Sequence, residues 1–198
     1  MPFSSSQGKM LFEDWMFHML AEKKIASVLD IGAGAGVYSG LLDEAMEKAE
    51  RFNPTVKADA RVEAIEPFHP YIERFDLCKK YMEVHNMLLD EYLNRDIVPD
   101  FDLVIMGDVL EHMPKQIAID SIMILLQHSK FVWISLPLKK IKDWMNGYKQ
   151  DKNEWKENGL EQHLYDWELE EFLVEFSTCV IGVFPFTVIG IFLLEGKK

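Results

Sequence analysis

The sequence predicts a single α/β domain, in which a doubly wound and mostly parallel sheet of seven strands carries helices on both faces. Helical and strand patterns alternate as far as Leu136, which is the order expected of parallel strands joined by crossover helices. The length of 198 residues suits one domain with a sizeable core. Near the end, β-branched residues on both sides of Pro185 favour an antiparallel hairpin of two buried strands.

Each element is predicted from the spacing of its apolar residues. Strands are predicted where apolar residues alternate with polar ones or form short continuous runs. These stretches are 27–31, 62–65, 81–85, 101–106 and 131–136, with two more within 179–194. Helical spacing places apolar helix faces at Phe12–Leu20, Leu41–Ala49, Ile72–Leu77, Ile119–Leu126 and Leu169–Phe176. The polar stretch from Lys139 to Gly159 interrupts this alternation, and we interpret it as a candidate lid within a single domain of residues 1–198.

Composition narrows the function classes. The formal net charge of −12 argues against non-specific binding to nucleic acid and against binding to anionic membranes. The apolar run from Cys179 to Leu194 contains Pro185 and is shorter than the roughly 20 residues that span a bilayer, so we expect no membrane span. Cys78 and Cys179 lack metal-ligand or disulfide-framework spacing, and we expect reduced cysteines in a cytoplasmic protein.

The segment Val28–Gly36 is the most informative stretch of the chain. It combines a buried strand, the acid Asp30 and three glycines that lead into a helix. Glycines suit a turn with positive φ or with backbone pressed against a ligand, and the following helix offers unpaired amides. The third glycine comes too early for a dinucleotide fingerprint, and an acid at the strand end disfavours a pyrophosphate and suits a ligand with a positive centre. The P-loop pattern is absent.

This segment resembles the first motif of the class I S-adenosylmethionine-dependent methyltransferases, in particular the small stand-alone members, and the resemblance extends through most of the chain. It implies a Rossmann-like methyltransferase fold, S-adenosylmethionine as cofactor and S-adenosylhomocysteine as product. By resemblance, the glycine turn would pass beneath the methionyl part of the cofactor, and Asp30 would lie near its amino group. Glu66, which follows the strand Val62–Ile65, would bind both ribose hydroxyls, because a carboxylate can accept two hydroxyl protons.

Two further segments resemble later motifs of the same family. In Glu83–Leu88, Asn86 would bind the adenine amino group and Met87 would pack on the ring. In Phe101–His112, the turn would line the methionine end of the cofactor, with Glu111 and His112 toward the substrate. The cofactor-binding residues implied by the resemblance are Asp30, Gly32, Ala33, Gly34, Gly36, Glu66, Pro67, Asn86, Met87, Gly107, Asp108 and Val109. Structural alternatives remain open, because Asp30, Glu66 and Asp108 could also cap helices.

Methyl transfer needs a nucleophile positioned in line with the S–CH₃ bond, and a base is optional. A histidine titrates near neutral pH and is the natural proton acceptor. His112 and His163 are therefore candidate catalytic residues, although His163 could equally be a surface histidine before a helix capped by Asp166. No spacing in the sequence requires a magnesium site, and we expect no metal.

The acceptor is the least constrained part of the prediction. The signature [DN]-P-P-[FYW] of amino-methyltransferases is missing, and there is no Pro-Cys pair for attack on cytosine. These absences argue against methylation of nucleic-acid bases by those routes. The resemblance to small stand-alone methyltransferases implies transfer to an oxygen or nitrogen of a small molecule or saccharide. A protein or tRNA methyltransferase, and a non-catalytic module that retains the fold for cofactor binding or interaction, remain as alternatives. The oligomeric state is not predicted.

Overall fold

Strands and helices follow one another nearly in the predicted order. The computed structural model describes residues 6–22, 24–54, 60–138, 158–185 and 189–197. The strands are β1 (Ser27–Ile31), β2 (Arg61–Ile65), β3 (Glu83–His85), β4 (Phe101–Gly107), β5 (Ser129–Pro137), β6 (Val180–Pro185) and β7 (Ile189–Glu195). The helices are α1 (Ser6–Ala21), α2 (Val37–Phe52), α3 (His69–Arg74), α4 (Leu77–Lys80), α5 (Leu89–Leu93), α6 (Lys115–Leu125) and α7 (Leu169–Glu175). Short 3-10 helices occupy Leu110–His112 and Gly159–Glu161.

The seven strands of the described residues form one sheet, in the order β3-β2-β1-β4-β5-β7-β6. Strands β1 to β5 pair in parallel, and β7 is antiparallel to both β5 and β6. The predicted fold class is confirmed. Because the chain proceeds outward in one direction from β1 and in the other from β4, the strand order reverses between these two strands. In open α/β sheets, ligands bind at the carboxyl ends of the strands at such a reversal.

The two faces of the sheet bury separate halves of the core. Along β1, Leu29 and Ile31 belong to one half and Val28 to the other, as alternation along a strand requires. Helices α5, α6 and α7 contribute to the first half, and α1 and α2 contribute to the second. Helices therefore cover both faces, as predicted.

The region between β2 and β3 differs from the prediction. The sequence predicted one helix carrying Ile72, Phe75 and Leu77, but the structure contains α3 and α4, separated by Phe75 and Asp76. Asp76 has a φ of 54°, a left-handed conformation that aspartate tolerates and that ends a helix. The strand that follows is also shorter than the predicted 81–85.

The C-terminal hairpin was predicted as two buried strands, and this is correct only for β7. Every residue of β7 before Glu195 is buried, because β7 lies between β5 and β6. Strand β6 is the sheet edge, where Ile181 is 51% exposed and Phe184 is 39% exposed. Both strands have similar β-branched sequences, so the apolar pattern alone did not distinguish a central strand from an edge strand.

Other predictions have mixed outcomes. Helix α5 was not predicted, since its five residues are too few to show a helical period. Most of the candidate lid, residues 139–157, lies outside the described residues.

The helix after the candidate lid begins differently from the alternative that the sequence offered. Glu168 rather than Asp166 occupies the N-cap of α7. None of the helices in the described ranges is long and apolar enough to cross a membrane.

Candidate functional site

The glycine turn after β1 depends on three residues that adopt positive φ. The φ angles of Gly32, Gly34 and Gly36 are 68°, 52° and 69°, a region that costs glycine little and other residues more. The amides of Gly32 and Ala33 donate to the carbonyl of Ile65 at 2.8 and 3.2 Å. The turn is thereby fixed to the carboxyl end of β2, and its last glycine is the N-cap of α2.

Glu66 is the buried carboxylate that follows β2. Its Oε2 atom accepts a hydrogen bond from the amide of Gly34 at 2.8 Å, and its Oε1 atom accepts one from the amide of Phe68 at 2.8 Å. Burial raises the pKa of Glu66, while these two backbone bonds oppose the shift. A carboxylate held in this way retains lone pairs for two further donors, such as a pair of neighbouring hydroxyl groups.

Asp30 lies deeper, near the end of β1, where it is 1% exposed. The hydroxyl of Tyr81 donates to its Oδ2 atom at 2.5 Å. Burial raises the pKa of Asp30 to about 7, and the bond from Tyr81 opposes that shift. The carboxylate form of Asp30 would be stabilised by a positively charged group nearby.

The turn after β4 contains a non-glycine residue with positive φ. Asp108 has a φ of 56°, its amide donates to the carbonyl of Ser135 at 2.7 Å, and its Oδ1 atom accepts from the hydroxyl of Ser135 at 3.2 Å. Burial raises the pKa of Asp108 to about 7, an effect that the hydroxyl of Ser135 and the charge of Lys9 oppose. The hydrogen bonds hold the non-glycine residue in its left-handed conformation.

These turns line one cavity at the carboxyl ends of the central strands. Eight of the predicted site residues lie in its wall, namely Gly32, Gly34, Glu66, Pro67, Gly107, Asp108, Val109 and His112. Six do not, namely Asp30, Ala33, Gly36, Asn86, Met87 and His163. Among the described residues, the wall also contains nine that were not predicted, which are Ile31, Ile65, Tyr71, Leu88, Leu89, Met113, Asn158, Leu160 and Glu161.

The segment after β3 places Asn86 in a supporting position. Its amide nitrogen donates to the carbonyls of Glu66 and Pro67 at 2.8 and 3.0 Å, so this side chain ties the β2 loop to β3. Met87 packs against the core. Leu88 and Leu89 are the residues of this segment that reach the cavity, and their apolar pair at the start of α5 is the signal that could have identified them.

One end of the cavity is formed by two segments that are distant in sequence. The carbonyl of Glu111 accepts hydrogen bonds from the amides of Leu164 and Tyr165 at 2.7 and 3.1 Å. These bonds bring His163 next to His112, with ring centroids 5.0 Å apart and ring planes at 81°. Both candidate catalytic histidines therefore lie at the same end, although only His112 forms part of the cavity wall.

The ring of His112 is oriented by the protein backbone. Its Nδ1 atom lies 3.3 Å from the carbonyl oxygen of Gln162, so we assign the ring hydrogen to Nδ1. Burial lowers the pKa of His112, and the bond to Gln162 opposes this effect. The neutral ring then presents Nε2 as an acceptor.

Comparison with solved structures identifies the fold. The plantazolicin methyltransferase BpumL, solved with S-adenosylhomocysteine, matches 97% of this chain and 86% of its own, with a TM-score of 0.62 and 13% identity. The magnesium protoporphyrin IX methyltransferase ChlM from Synechocystis PCC 6803, solved with S-adenosylmethionine, matches 96% of this chain and 80% of its own, with a TM-score of 0.57 and 14% identity.

The small RNA methyltransferase HEN1 matches 100% of this chain and 26% of its own, with a TM-score of 0.66 and 15% identity. The fold of this chain is thus the class I, Rossmann-like fold of S-adenosylmethionine-dependent methyltransferases. A scan against protein-family models found no match, and a search of curated protein sequences also found none.

Proposed function

We propose that the chain is an S-adenosylmethionine-dependent methyltransferase that transfers a methyl group to an oxygen or nitrogen of a small molecule or saccharide. The observation that carries the proposal is the carboxylate of Glu66, which the amides of Gly34 and Phe68 orient at the cavity wall. Such a carboxylate suits a ribose, whose two hydroxyls can each donate to one oxygen. The fold shared with solved methyltransferases supports the same cofactor.

We infer that the other end of the cofactor would lie against the turns after β1 and β4. Asp30 would stabilise the amino group of the methionyl part by its negative charge, and the backbone of Gly32 and Gly107, which line the cavity, would lie along the cofactor chain. Leu88 and Leu89 would offer an apolar surface to the adenine ring. Asn86 would then act indirectly, by holding the loop that carries Glu66 and Pro67.

The reaction would be a direct displacement at the sulfonium methyl group. The acceptor oxygen or nitrogen forms a bond to the methyl carbon, the S–CH₃ bond breaks, and its electron pair stays on sulfur as S-adenosylhomocysteine forms. When bound, the cofactor supplies the activated methyl group, and the protein contributes orientation and exclusion of water. His112 lines one end of the cavity, where it would contact the acceptor and assist removal of its proton, and His163 lies beside it.

A transfer assay tests this function and its alternatives. The chain is incubated with methyl-labelled S-adenosylmethionine and separate pools of metabolites, saccharides, tRNA and proteins. We expect label in a metabolite or saccharide, and a His163→Ala variant that still binds S-adenosylhomocysteine but transfers the label more slowly. Label only in tRNA or protein would contradict the proposed acceptor class. Cofactor binding without transfer to any pool would favour a non-catalytic module.

A further inference from the structure

Three side chains that bind metals in other proteins meet at the histidine end of the cavity. Glu111, His112 and His163 each offer one ligand atom, and these three atoms lie within 4.8 Å of one another. The Oε1 atom of Glu111 is 3.9 Å from Nε2 of His112. Ligands about 2.0–2.2 Å from an ion lie up to about 4 Å from one another, so side-chain shifts of less than about 1 Å would let all three bind one ion.

The surrounding structure orients His112 as a metal-binding histidine is usually oriented, and a carboxylate lies near His163. Nδ1 of His112 faces the carbonyl of Gln162 at 3.3 Å, which leaves Nε2 toward Glu111. Nδ1 of His163 lies 3.8 Å from the carboxylate of Asp166. A metal-binding histidine commonly directs its other ring nitrogen to a carbonyl or a carboxylate, which fixes the orientation of the ring.

A second carboxylate and histidine cluster in the fold provides a contrast. Glu63, Glu83 and His85 also lie within 4.8 Å of one another. Two arginines occupy that cluster, since Nε of Arg61 is 3.3 Å from Glu63 and Nη2 of Arg95 is 3.4 Å from His85. None of its residues lines the cavity described above. We interpret it as an ion-pair network, because a cation there would be repelled by the arginines.

We propose that Glu111, His112 and His163 form a binding site for one divalent transition-metal ion, which binds the hydroxyl group of the methyl acceptor. This inference rests on the proposed function for the role of the ion, but not for its binding. One carboxylate and two imidazoles suit Mn²⁺, Co²⁺ or Zn²⁺, whereas Mg²⁺ and Ca²⁺ prefer oxygen ligands. Three protein ligands leave open positions for an exchangeable group.

The position of the site gives the ion a chemical role. His112 lines the cavity together with Asp108 and Gly107, so an acceptor oxygen bound to the ion would lie close to the transferred methyl group. A divalent cation lowers the pKa of a bound hydroxyl group. With the ion bound, His112 and His163 act as ligands rather than as bases, so the hydroxyl proton leaves to solvent. The oxygen forms a bond to the methyl carbon, and the S–CH₃ bond breaks with its electron pair remaining on sulfur. The proposed acceptor is thereby narrowed from an oxygen or nitrogen compound to a hydroxyl compound.

The first test measures metal binding without any methyl transfer. The metal-free chain is titrated with Co²⁺ by calorimetry, and we expect one site per chain. His112→Gln and His163→Gln should each weaken this binding by at least about 10-fold, since each removes one ligand. His128→Ala is the matched control, because His128 is paired with Asp100 at 3.0 Å and precedes β5, at the opposite end of the sheet from the cavity. It should bind Co²⁺ like the unmodified chain.

The second test separates this inference from the proposed function. Binding of S-adenosylhomocysteine, measured on each variant, reports that the fold and the cofactor site are intact. Unchanged S-adenosylhomocysteine affinity with lost Co²⁺ binding in both histidine variants supports the metal site. Intact S-adenosylhomocysteine binding with no Co²⁺ binding by the unmodified chain, or with equal Co²⁺ binding in all variants, would overturn it. Failure to bind S-adenosylhomocysteine would instead contradict the proposed function, and the Co²⁺ titration would still decide the metal site.

Discussion

Asp30 and Glu66 are two buried carboxylates that the protein holds in different ways. Glu66 accepts two backbone amides at 2.8 Å, whereas Asp30 accepts the hydroxyl of Tyr81 and has a pKa raised to about 7 by burial. A pKa raised in the folded state means that the unliganded chain loses stability as pH rises from about 4 to about 7. Burial also raises the pKa of Asp108 to about 7, so Asp108 likewise lowers the stability of the unliganded chain as pH rises over this range.

The raised pKa of Asp30 predicts a pH-dependent affinity for the cofactor product. A positively charged amino group favours the carboxylate form of Asp30, so binding releases its proton at acidic pH. We expect the affinity for S-adenosylhomocysteine to increase by about 10-fold between pH 6 and pH 8. The Asp30→Asn variant should bind S-adenosylhomocysteine weakly, with an affinity that does not change with pH. The Asp14→Asn variant, altered at an exposed position of α1, should keep the pH dependence of the unmodified chain. Calorimetric titrations at several pH values check this, and a flat profile for the unmodified chain would contradict it.

At the scale of elements, the cavity depends on close contact between the end of β4 and the start of α2. A Cβ atom on Gly107 would lie 2.2 Å from Cε2 of Tyr38, and Tyr38 is buried in the core. Glycine at this position therefore lets α2 approach the sheet beside the cavity. By contrast, a Cβ atom on Gly40, which is exposed on the same helix, would meet nothing within 4 Å.

This contrast gives a matched pair of stability predictions. Gly107→Ala should lower the free energy of unfolding by about 1–3 kcal/mol, because the methyl group overpacks against Tyr38. Gly40→Ala should raise it by about 0.5–1 kcal/mol, because alanine is the better helix former. Urea denaturation of both variants provides the measurement. Equal stabilities for Gly107→Ala and the unmodified chain would show that α2 packs differently.

The sequence predicted the elements that depend on local patterns and missed those that depend on folding of distant segments. The turn at Val28–Gly36 and the strand-end position of Glu66 follow from residues adjacent in the chain, and the structure places both as expected. Tyr71 and Asn158 reach the cavity only because α3 and the segment before α7 fold back over the strand ends. Likewise, no spacing in the sequence predicts that His163 contacts His112. Hydrogen bonds from the amides of Leu164 and Tyr165 to the carbonyl of Glu111 bring the two histidines together.

At the scale of the whole molecule, α1 joins the N-terminal part of the chain to the middle of the sheet. Phe12 is fully buried, and its ring lies 5.0 Å from that of Tyr38 on α2 and 5.1 Å from that of Trp133 on β5, both edge-on. The three rings belong to elements far apart in sequence. Their contact should therefore contribute to the cooperative stability of the entire domain.

Truncation of Phe12 tests that contribution. Phe12→Ala should reduce the free energy of unfolding by about 3–5 kcal/mol, since it removes a fully buried ring and leaves a cavity. Met10→Ala, in the same helix but at a residue that is 72% exposed, should change it by no more than about 0.5 kcal/mol. Thermal and urea unfolding measure both. A similar small effect for the two variants would show that α1 is not part of the cooperative core.

Binding of S-adenosylhomocysteine to Glu66 variants is the most direct test of the proposed cofactor site. Calorimetry on the unmodified chain should show one site, and Glu66→Gln should weaken binding by about 10- to 100-fold, because it removes a charged acceptor of two hydroxyl groups. Glu73→Gln, at an exposed carboxylate of α3, serves as the control and should leave the affinity unchanged. No binding by the folded unmodified chain, or equal affinities for Glu66→Gln and Glu73→Gln, would contradict the assignment of this cavity to S-adenosylmethionine.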